Sequence, residues 1–197
     1  MSRPVRRVAA VYVTERMAQA APAGLDPRAF LLAVAEDVYE LVAGLESVTP
    51  VVLSAGVPGL ADLTWPGTPV LPAADLTEGF AALAAYGEHG VIVSGDAPDL
   101  PPLLIGKLFR ELGRAELAVC PAAGGGAVAI AARLPLPSWA EPDLDEPDPI
   151  RGLRARAPGR RTVAAGPGWY RLRTPADLGR LDPGLEGWEN TRALLGR

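Results

Sequence analysis

Apolar residues fall along the chain in continuous runs that predict strands. The run at 7–14 is apolar at successive rather than alternating positions, which indicates a strand buried on both faces, as in a parallel sheet. The run at 91–95 is the clearest candidate for a central strand. Five further runs predict strands at 48–54, 68–71, 116–120, 127–132 and 161–165.

Helices are predicted between the strands. Asp26 and Pro27 suit the first positions of a helix, and the apolar residues from 30 to 45 recur at helical spacing. Asp75 and Asp99 each precede a further helical segment and are predicted to cap it. These and two later helices are predicted at 75–86, 103–112, 174–181 and 186–195. The element order predicts a three-layer α/β fold with a mostly parallel, helix-covered sheet, which is a Rossmann-like arrangement.

The length of 197 residues suits a single domain over 1–197. Within it, residues up to about 135 form the predicted core. Residues 141–161, an acidic stretch followed by an arginine run, are predicted to be a charged loop. Residues 162–197 supply a last strand and the C-terminal helices.

Composition excludes several classes of protein. One cysteine, Cys120, and one histidine, His89, exclude a disulfide framework, a cysteine-rich zinc site and a histidine metal cage. The net charge of −4 argues against nucleic acid as a partner, because phosphate backbones need a basic surface. Every apolar run is far shorter than the ~20 residues that span a bilayer, so no membrane span is expected and a cytoplasmic location is predicted.

Candidate chemistry lies where the 91–95 strand ends, because ligands of open α/β sheets bind beyond the carboxyl ends of strands. Gly95 allows a tight turn or a close ligand approach, and Asp96 either binds a hard cation or holds turn amides. Gly124 and Gly125, within a run of three glycines, either admit a ligand to the backbone or turn a hairpin. The arginines at 151–161 either clamp phosphate or form a solvated face.

Two segments carry a resemblance to a known fold family. Residues 91–100 read VIVSGDAPDL, and after a predicted helix residues 118–126 read AVCPAAGGG. This arrangement resembles the glycosyltransferase-A, or nucleotide-diphospho-sugar transferase, fold. It is most similar to a small bacterial glycosyltransferase-like family known as a domain of unknown function. More distantly it is similar to the molybdenum-cofactor and phospholactate guanylyltransferases.

The resemblance implies a nucleoside triphosphate or nucleotide sugar over the first strand's loop, with a divalent cation held by acidic residues. Asp96 matches the family's acidic residue after the strand, and Gly124 and Gly125 fall on the acceptor side. The family's lysine-containing first loop is here TERMAQAAPAG, in which Arg16 is the cation. Gly124 stands where the family has an aspartate.

The family's Asp-x-Asp-Thr-Pro-x-Asp-Leu appears here as RLRTPADL, so that Arg171 and Arg173 replace its two carboxylates. The second of those aspartates commonly helps to bind Mg²⁺ or Mn²⁺, which an arginine should repel. An arginine can instead supply a fixed positive charge itself. No cofactor is therefore certain, and a metal on Asp96 is weakened by the exchange.

Two function hypotheses follow. In the first, the protein is a transferase that uses a nucleotide-activated donor without a metal; Asp96 and Arg173 carry the chemistry, and Arg16, Gly95 and Arg171 contact donor phosphate. In the second, it is a degenerate, non-catalytic member that acts as a nucleotide-binding or protein-partner module, or in an oligomer. Inward-facing arginines beside Asp96 favour the first. An exposed apolar patch around one of the tryptophans Trp65, Trp139 or Trp188 favours the second.

Overall fold

Seven strands form one sheet in the computed structural model, which describes residues 3–196. The strands are β1 (Arg7–Val13), β2 (Val48–Ser54), β3 (Val70–Pro72), β4 (His89–Ser94), β5 (Leu117–Pro121), β6 (Ala127–Arg133) and β7 (Val163–Ala165). Their order across the sheet is β3-β2-β1-β4-β6-β5-β7, and β6 runs antiparallel to both of its neighbours, whereas the other pairs are parallel. The predicted α/β fold with a mostly parallel sheet is confirmed.

Helices cover both faces of the sheet. The helices are α1 (Pro27–Ala43), α2 (Leu76–Leu83), α3 (Pro102–Glu111), α4 (Pro149–Arg156) and α5 (Glu189–Leu195), and short 3₁₀ segments span Glu15–Ala20, Leu60–Leu63 and Pro175–Arg180. Alternate residues of β1 explain why its apolarity is continuous: Ala9, Val11 and Val13 pack with α1 and α3, while Val8 and Ala10 face α2 and α4. Two hydrophobic cores therefore enclose the sheet and complete three layers.

Side-chain caps begin α1 and α2 as the sequence predicts. The Asp26 carboxylate accepts from the backbone N–H groups of Arg28 and Ala29. Asp75 accepts from the backbone N–H of Glu78, whose own carboxylate accepts from Ala74. These contacts satisfy amide donors that the first turn of a helix leaves free.

Asp99 does not cap α3, so that prediction is wrong. The N-cap position falls on Pro101, and the helix starts at Pro102 without any side-chain cap. Asp99 is instead buried and accepts hydrogen bonds from the Trp169 indole and the Tyr170 hydroxyl. Burial raises the pKa of this carboxyl, and the two hydrogen bonds oppose that shift.

The segment 141–161 is only partly a loop, which corrects the prediction for it. Residues Pro149–Arg156 form α4, which the Asp148 carboxylate caps through the backbone N–H of Arg151. Leu153 is fully buried on this helix. The three glycines 124–126 all have positive φ and turn the β5–β6 hairpin, which was one of the two alternatives for them.

Strands β1 and β4 are neighbours in the sheet, and the chain adds strands on opposite sides of this pair. From β1 the chain moves to β2 and β3 on one side, and β4 lies on the other side, with Tyr12 opposite Ser94 at their carboxyl ends. Such a switch point leaves a crevice beyond the strand ends. Among the described residues, no helix has both the length and the apolarity needed to cross a membrane.

Candidate functional site

Two adjoining cavities open beyond the carboxyl ends of β1 and β4. The larger has a volume of about 790 Å³ and lies between the end of β1, the start of α2 and the acidic stretch 141–147. The smaller has a volume of about 190 Å³ and includes Asp96 and Arg173. Both are lined by Thr14, Arg16, Met17, Asp145 and Arg171. The predicted site residues are thus gathered at the topological switch point, apart from the glycines.

Asp96 is held in a buried ion pair. Its carboxylate accepts from the Arg171 Nε at 2.8 and 3.1 Å and from the Ser94 hydroxyl at 2.6 Å, and it is 2% exposed. Ser94 ends β4, while the backbone N–H of Leu172 donates to the Asp96 carbonyl at 2.8 Å and fixes Arg171 beside the turn. The carboxylate is therefore neutralised and hydrogen-bonded within the chain.

Gly95 packs against β1 instead of lining a cavity. Its N–H donates to the Tyr12 carbonyl at 2.9 Å, and a Cβ at this position would lie 3.1 Å from that oxygen and from the Val13 side chain. The absence of a side chain lets the turn after β4 close onto β1. Glycine is needed for this close packing, which places Asp96 at the carboxyl ends of β1 and β4.

The Arg171 guanidinium lies between two carboxylates. Its Nε contacts Asp96, and its Nη1 donates to Asp145 Oδ1 at 2.8 Å and to the Leu144 carbonyl at 3.1 Å. Burial acts to lower the pKa of Arg171, but Asp96 and Asp145 outweigh it and raise the pKa above the ordinary value. The side chain is a permanently charged cation fixed in a pocket of carboxylates.

Two further arginines, Arg16 and Arg173, lie close to the Asp145 carboxylate. Arg16 Nη1 lies 3.5 Å from Asp145 Oδ2, and Arg173 Nη2 lies 3.8 Å from Asp145 Oδ1. The Nε and Nη2 atoms of Arg173 are buried and make no hydrogen bond within the described chain. Asp177 holds the backbone N–H groups of Arg173 and Thr174 at 3.1 and 2.9 Å and so fixes this segment.

Gly124 and Gly125, predicted on the acceptor side, line neither cavity. The 144–147 segment covers their hairpin: the N–H of Gly126 donates to the Pro147 carbonyl, and that of Ala127 donates to the Leu144 carbonyl. A Cβ at Gly126 would overlap the Arg173 guanidinium. The glycine run therefore makes room for Arg173 and for the overlying segment.

A divalent cation does not fit the residues at this position. Asp96 has its oxygens directed at Arg171 and Ser94, and Arg173 stands where the resemblance places a second carboxylate. Within residues 3–196 no group of three or more histidine, cysteine, aspartate or glutamate side chains could hold a metal ion. The Arg171 guanidinium lies between the carboxylates of Asp96 and Asp145 and supplies the positive charge that balances them.

The arginine run at 151–161 is divided between structural contacts and a distant surface. Arg154 donates to the Val163 carbonyl, and Arg156 pairs with Glu141 and Glu146 at the wall of the larger cavity. Beyond the opposite ends of the strands, a separate cavity of about 390 Å³ is lined by arginines 114, 133, 160 and 161. Of this run, Arg156 shares the larger cavity with Arg171, whereas Arg160 and Arg161 lie on the distant surface.

Sequence reasoning missed two residues of the site, Asp145 and Tyr12. Asp145 was part of the predicted solvated loop, yet the neighbouring Leu144 is buried and anchors the segment over the cleft. The available signal is the apolar Leu144 between two aspartates, because a buried side chain within a charged stretch fixes that stretch to the protein. The Tyr12 hydroxyl donates to the Ala74 carbonyl at 2.9 Å, and burial, followed by Asp75, raises its pKa.

Comparison with known proteins gives structural similarity without sequence similarity. No family model matches the chain, and no curated protein does. A solved protein from Desulfovibrio desulfuricans G20, assigned to the nucleotide-diphospho-sugar transferases, superposes with a TM-score of 0.63 at 17% identity, covering 98% of each chain. The chain therefore shares the fold of that protein.

Two further solved structures share the architecture. The 4-diphosphocytidyl-2C-methyl-D-erythritol synthase of Anaerococcus prevotii has a TM-score of 0.61 at 13% identity, covering 98% of this chain and 97% of the other. The Mycobacterium tuberculosis protein Rv0371c in complex with manganese has a TM-score of 0.52 at 16% identity, covering 98% and 100%. At such identities the likeness establishes the fold, whereas the resemblance to one family of unknown function has no support from a family match.

Proposed function

We propose that this protein binds a nucleotide-activated donor at the switch point and transfers its nucleotidyl or glycosyl group without a metal ion. The observation that carries the proposal is the Arg171 guanidinium, held between Asp96 and Asp145 at 2.8 Å from each. Asp96 acts in this account as the residue that positions Arg171. Arg16 and Arg173 face the same point and contact donor phosphate.

The chemistry of group transfer explains why fixed cations matter. An acceptor oxygen forms a bond to the donor's phosphorus or anomeric carbon, and the bond from that atom to the leaving phosphate oxygen breaks. Negative charge accumulates on the leaving diphosphate or nucleoside diphosphate. Guanidinium groups fixed before the reaction stabilise that charge without reorganisation, and arginine matches phosphate with two donors at once. Arg173 is suited to this role because its side chain is 34% exposed, lines the smaller cavity and lies 3.8 Å from Asp145, beyond hydrogen-bond distance.

The names of the structural neighbours support the donor class. One is assigned to the nucleotide-diphospho-sugar transferases and another is a diphosphocytidyl synthase, and both names refer to a nucleotide group joined through a diphosphate. Fold likeness alone does not establish activity. The manganese complex belongs to a third neighbour. In the present chain we expect arginine side chains, and not a metal ion, to stabilise the negative charge of the donor phosphates.

The second candidate is a non-catalytic binding module. The observation that favours it is that Asp96 is fully engaged within the chain, so the carboxylate that the resemblance assigns to metal binding is not free. Exposed apolar surface gives it less support. Trp188 is buried, Trp139 donates its indole N–H to Glu116, and Trp65 is 55% exposed.

A thermal-shift panel of nucleoside triphosphates and nucleotide sugars, each with EDTA or with Mg²⁺ or Mn²⁺, tests the proposal. A donor at about 100 times its Kd stabilises the native state by about 2.7 kcal/mol, which raises Tm by roughly 5–10 °C for a chain of this size. The proposal expects the shift to persist in EDTA and to fall in Arg173→Gln. The matched control Arg161→Gln, at the opposite end of the sheet, should keep it.

The other outcomes separate the alternatives. A shift that requires a metal ion contradicts the metal-free account. A shift without release of diphosphate or nucleoside diphosphate in the presence of candidate acceptors favours the binding module. No shift with any nucleotide contradicts both nucleotide-based functions and directs attention to a protein partner.

A further inference from the structure

Asp145 is a single carboxylate shared among three guanidinium groups. Oδ1 accepts from Arg171 Nη1 at 2.8 Å and lies 3.8 Å from Arg173 Nη2, while Oδ2 lies 3.5 Å from Arg16 Nη1. The arginines come from the segment after β1 and from the segment after β7, and Asp145 comes from the loop before α4. Three guanidinium groups that converge on one carboxylate from different segments form the kind of subsite that binds a phosphate group.

The side chain of Asp145 reaches solvent, so it can turn away from this position when a ligand replaces its contacts. It is 45% exposed, whereas the neighbouring Leu144 is buried and its carbonyl accepts from Ala127 and Arg171. The Asp145 backbone N–H is held by the Asp143 carboxylate at 2.8 Å. Rotation of one side chain into solvent therefore vacates the arginines while the backbone of the loop stays in place.

Asp145 also stands between the two cavities. It lines both the cavity of about 790 Å³ and the cavity of about 190 Å³, and the arginines that it contacts are distributed around both. A carboxylate that turns away from this position leaves room for a diphosphate beside the arginines, with the larger cavity next to it for the remainder of a donor.

We infer that Asp145 is a built-in anion that occupies the phosphate subsite of Arg16, Arg171 and Arg173 until a diphosphate replaces it. The inference rests on the proposed function and adds a determinant of ligand class. Among the five side chains in direct contact, three arginines face the carboxylates of Asp96 and Asp145, so one positive charge remains within this cluster, although further carboxylates line the larger cavity. A ligand with a single negative charge gains little by replacing Asp145, whereas a diphosphate brings more charge than it displaces. The subsite therefore selects diphosphates over monoanions.

The test is calorimetric titration of inorganic pyrophosphate into the full chain in EDTA-containing buffer. Asp145→Asn removes the charge and keeps the shape, so pyrophosphate should bind about tenfold more tightly than to the natural chain. Asp145→Ser should act in the same direction. The matched control is Glu141→Gln, which removes an equal charge from the same cavity wall but contacts Arg156 instead. Its affinity should stay within about twofold of the natural chain.

Acetate provides the monoanion arm of the same experiment. The natural chain should bind pyrophosphate in clear preference to acetate, and Asp145→Asn should reduce that preference. If pyrophosphate binds the natural chain and neither Asp145 variant binds it more tightly, the inference is overturned while the proposed function stands. If Glu141→Gln tightens binding as much as Asp145→Asn, a general charge effect replaces the inference. If pyrophosphate binds none of the proteins, both the inference and the proposed phosphate subsite fail.

Discussion

Replacement of Arg171 by methionine removes the cation from the buried pair and keeps an unbranched side chain. Asp96, which is 2% exposed, would then keep the Ser94 hydroxyl as its remaining polar side-chain contact. Breaking a buried pair by removal of one partner costs about 3–5 kcal/mol, because the other charge stays desolvated. A loss of that size lowers Tm by roughly 10 °C in a chain of this length and leaves most domains folded.

A double-mutant cycle isolates the pair from the packing change. Asp96→Asn also destabilises the chain, since Arg171 then loses its buried partner and keeps Asp145. The double variant Asp96→Asn/Arg171→Met carries no unpaired buried charge, so its loss should fall short of the sum of the single losses by about 2 kcal/mol. Arg3→Met is the matched control, because Arg3 pairs with Glu88 on the surface and the two side chains are 68% and 44% exposed. It should leave the urea midpoint of unfolding nearly unchanged.

The assay is urea unfolding at pH 7, followed by far-ultraviolet circular dichroism and tryptophan fluorescence in parallel. Coincident transitions justify a two-state free energy. If Arg171→Met unfolds within about 1 kcal/mol of the natural chain, or if the two single losses are additive, the buried ion pair is not what holds the site together. The positioning role assigned to Asp96 would then be refuted.

Three further predictions concern single residues. Gly126→Ala, at φ +81° and with its Cβ overlapping the Arg173 guanidinium, should lower the free energy of unfolding in urea by about 2–3 kcal/mol. Gly124→Ala, at φ +85° with open space around it, should lower it by about 1 kcal/mol. Equal losses would contradict the steric clash proposed for position 126. Burial raises the pKa of Cys120 to about 12, so iodoacetamide at pH 8 should modify its thiol only after unfolding. Mass spectrometry measures the modification, and rapid labelling of the native chain would contradict this prediction. Burial also raises the pKa of Asp37 above 3.8, against its hydrogen bonds from α5, so the folded chain holds this proton more firmly than the unfolded chain. The stability of the natural chain relative to Asp37→Asn should therefore rise as pH falls from neutrality toward 3.8, and denaturation curves with a constant difference would contradict it.

The strands were predictable because their side chains are buried on both faces. Continuous apolarity from 8 to 13 follows from two cores that share β1, and the bounds predicted for β2 are those observed. The caps of α1 and α2 were predictable as well, because Asp26 and Asp75 act on amides a few residues away. Local interactions of this kind leave their signature in adjacent residues.

The remainder depends on contacts that short patterns do not encode. Helix α4 is short and polar, with Leu153 as its buried anchor on an otherwise arginine-rich surface, so no apolar stripe marks it. Asp99 looked like a cap because it precedes a helix, but its partners lie about seventy residues later in the chain. The pairing of Asp96 with Arg171 was likewise hidden: the sequence placed both at the site and did not show that each neutralises the other.

A crystal structure of the protein with pyrophosphate or a stabilising nucleotide, grown in EDTA, tests the central claim most directly. The account predicts phosphate oxygens within hydrogen-bond distance of Arg173 and Arg16, the Asp145 carboxylate turned toward solvent, and the Asp96–Arg171 pair unbroken. Phosphate bound away from these arginines would contradict it. So would a companion structure grown with Mn²⁺ in which Asp96 has left Arg171 to coordinate the metal ion.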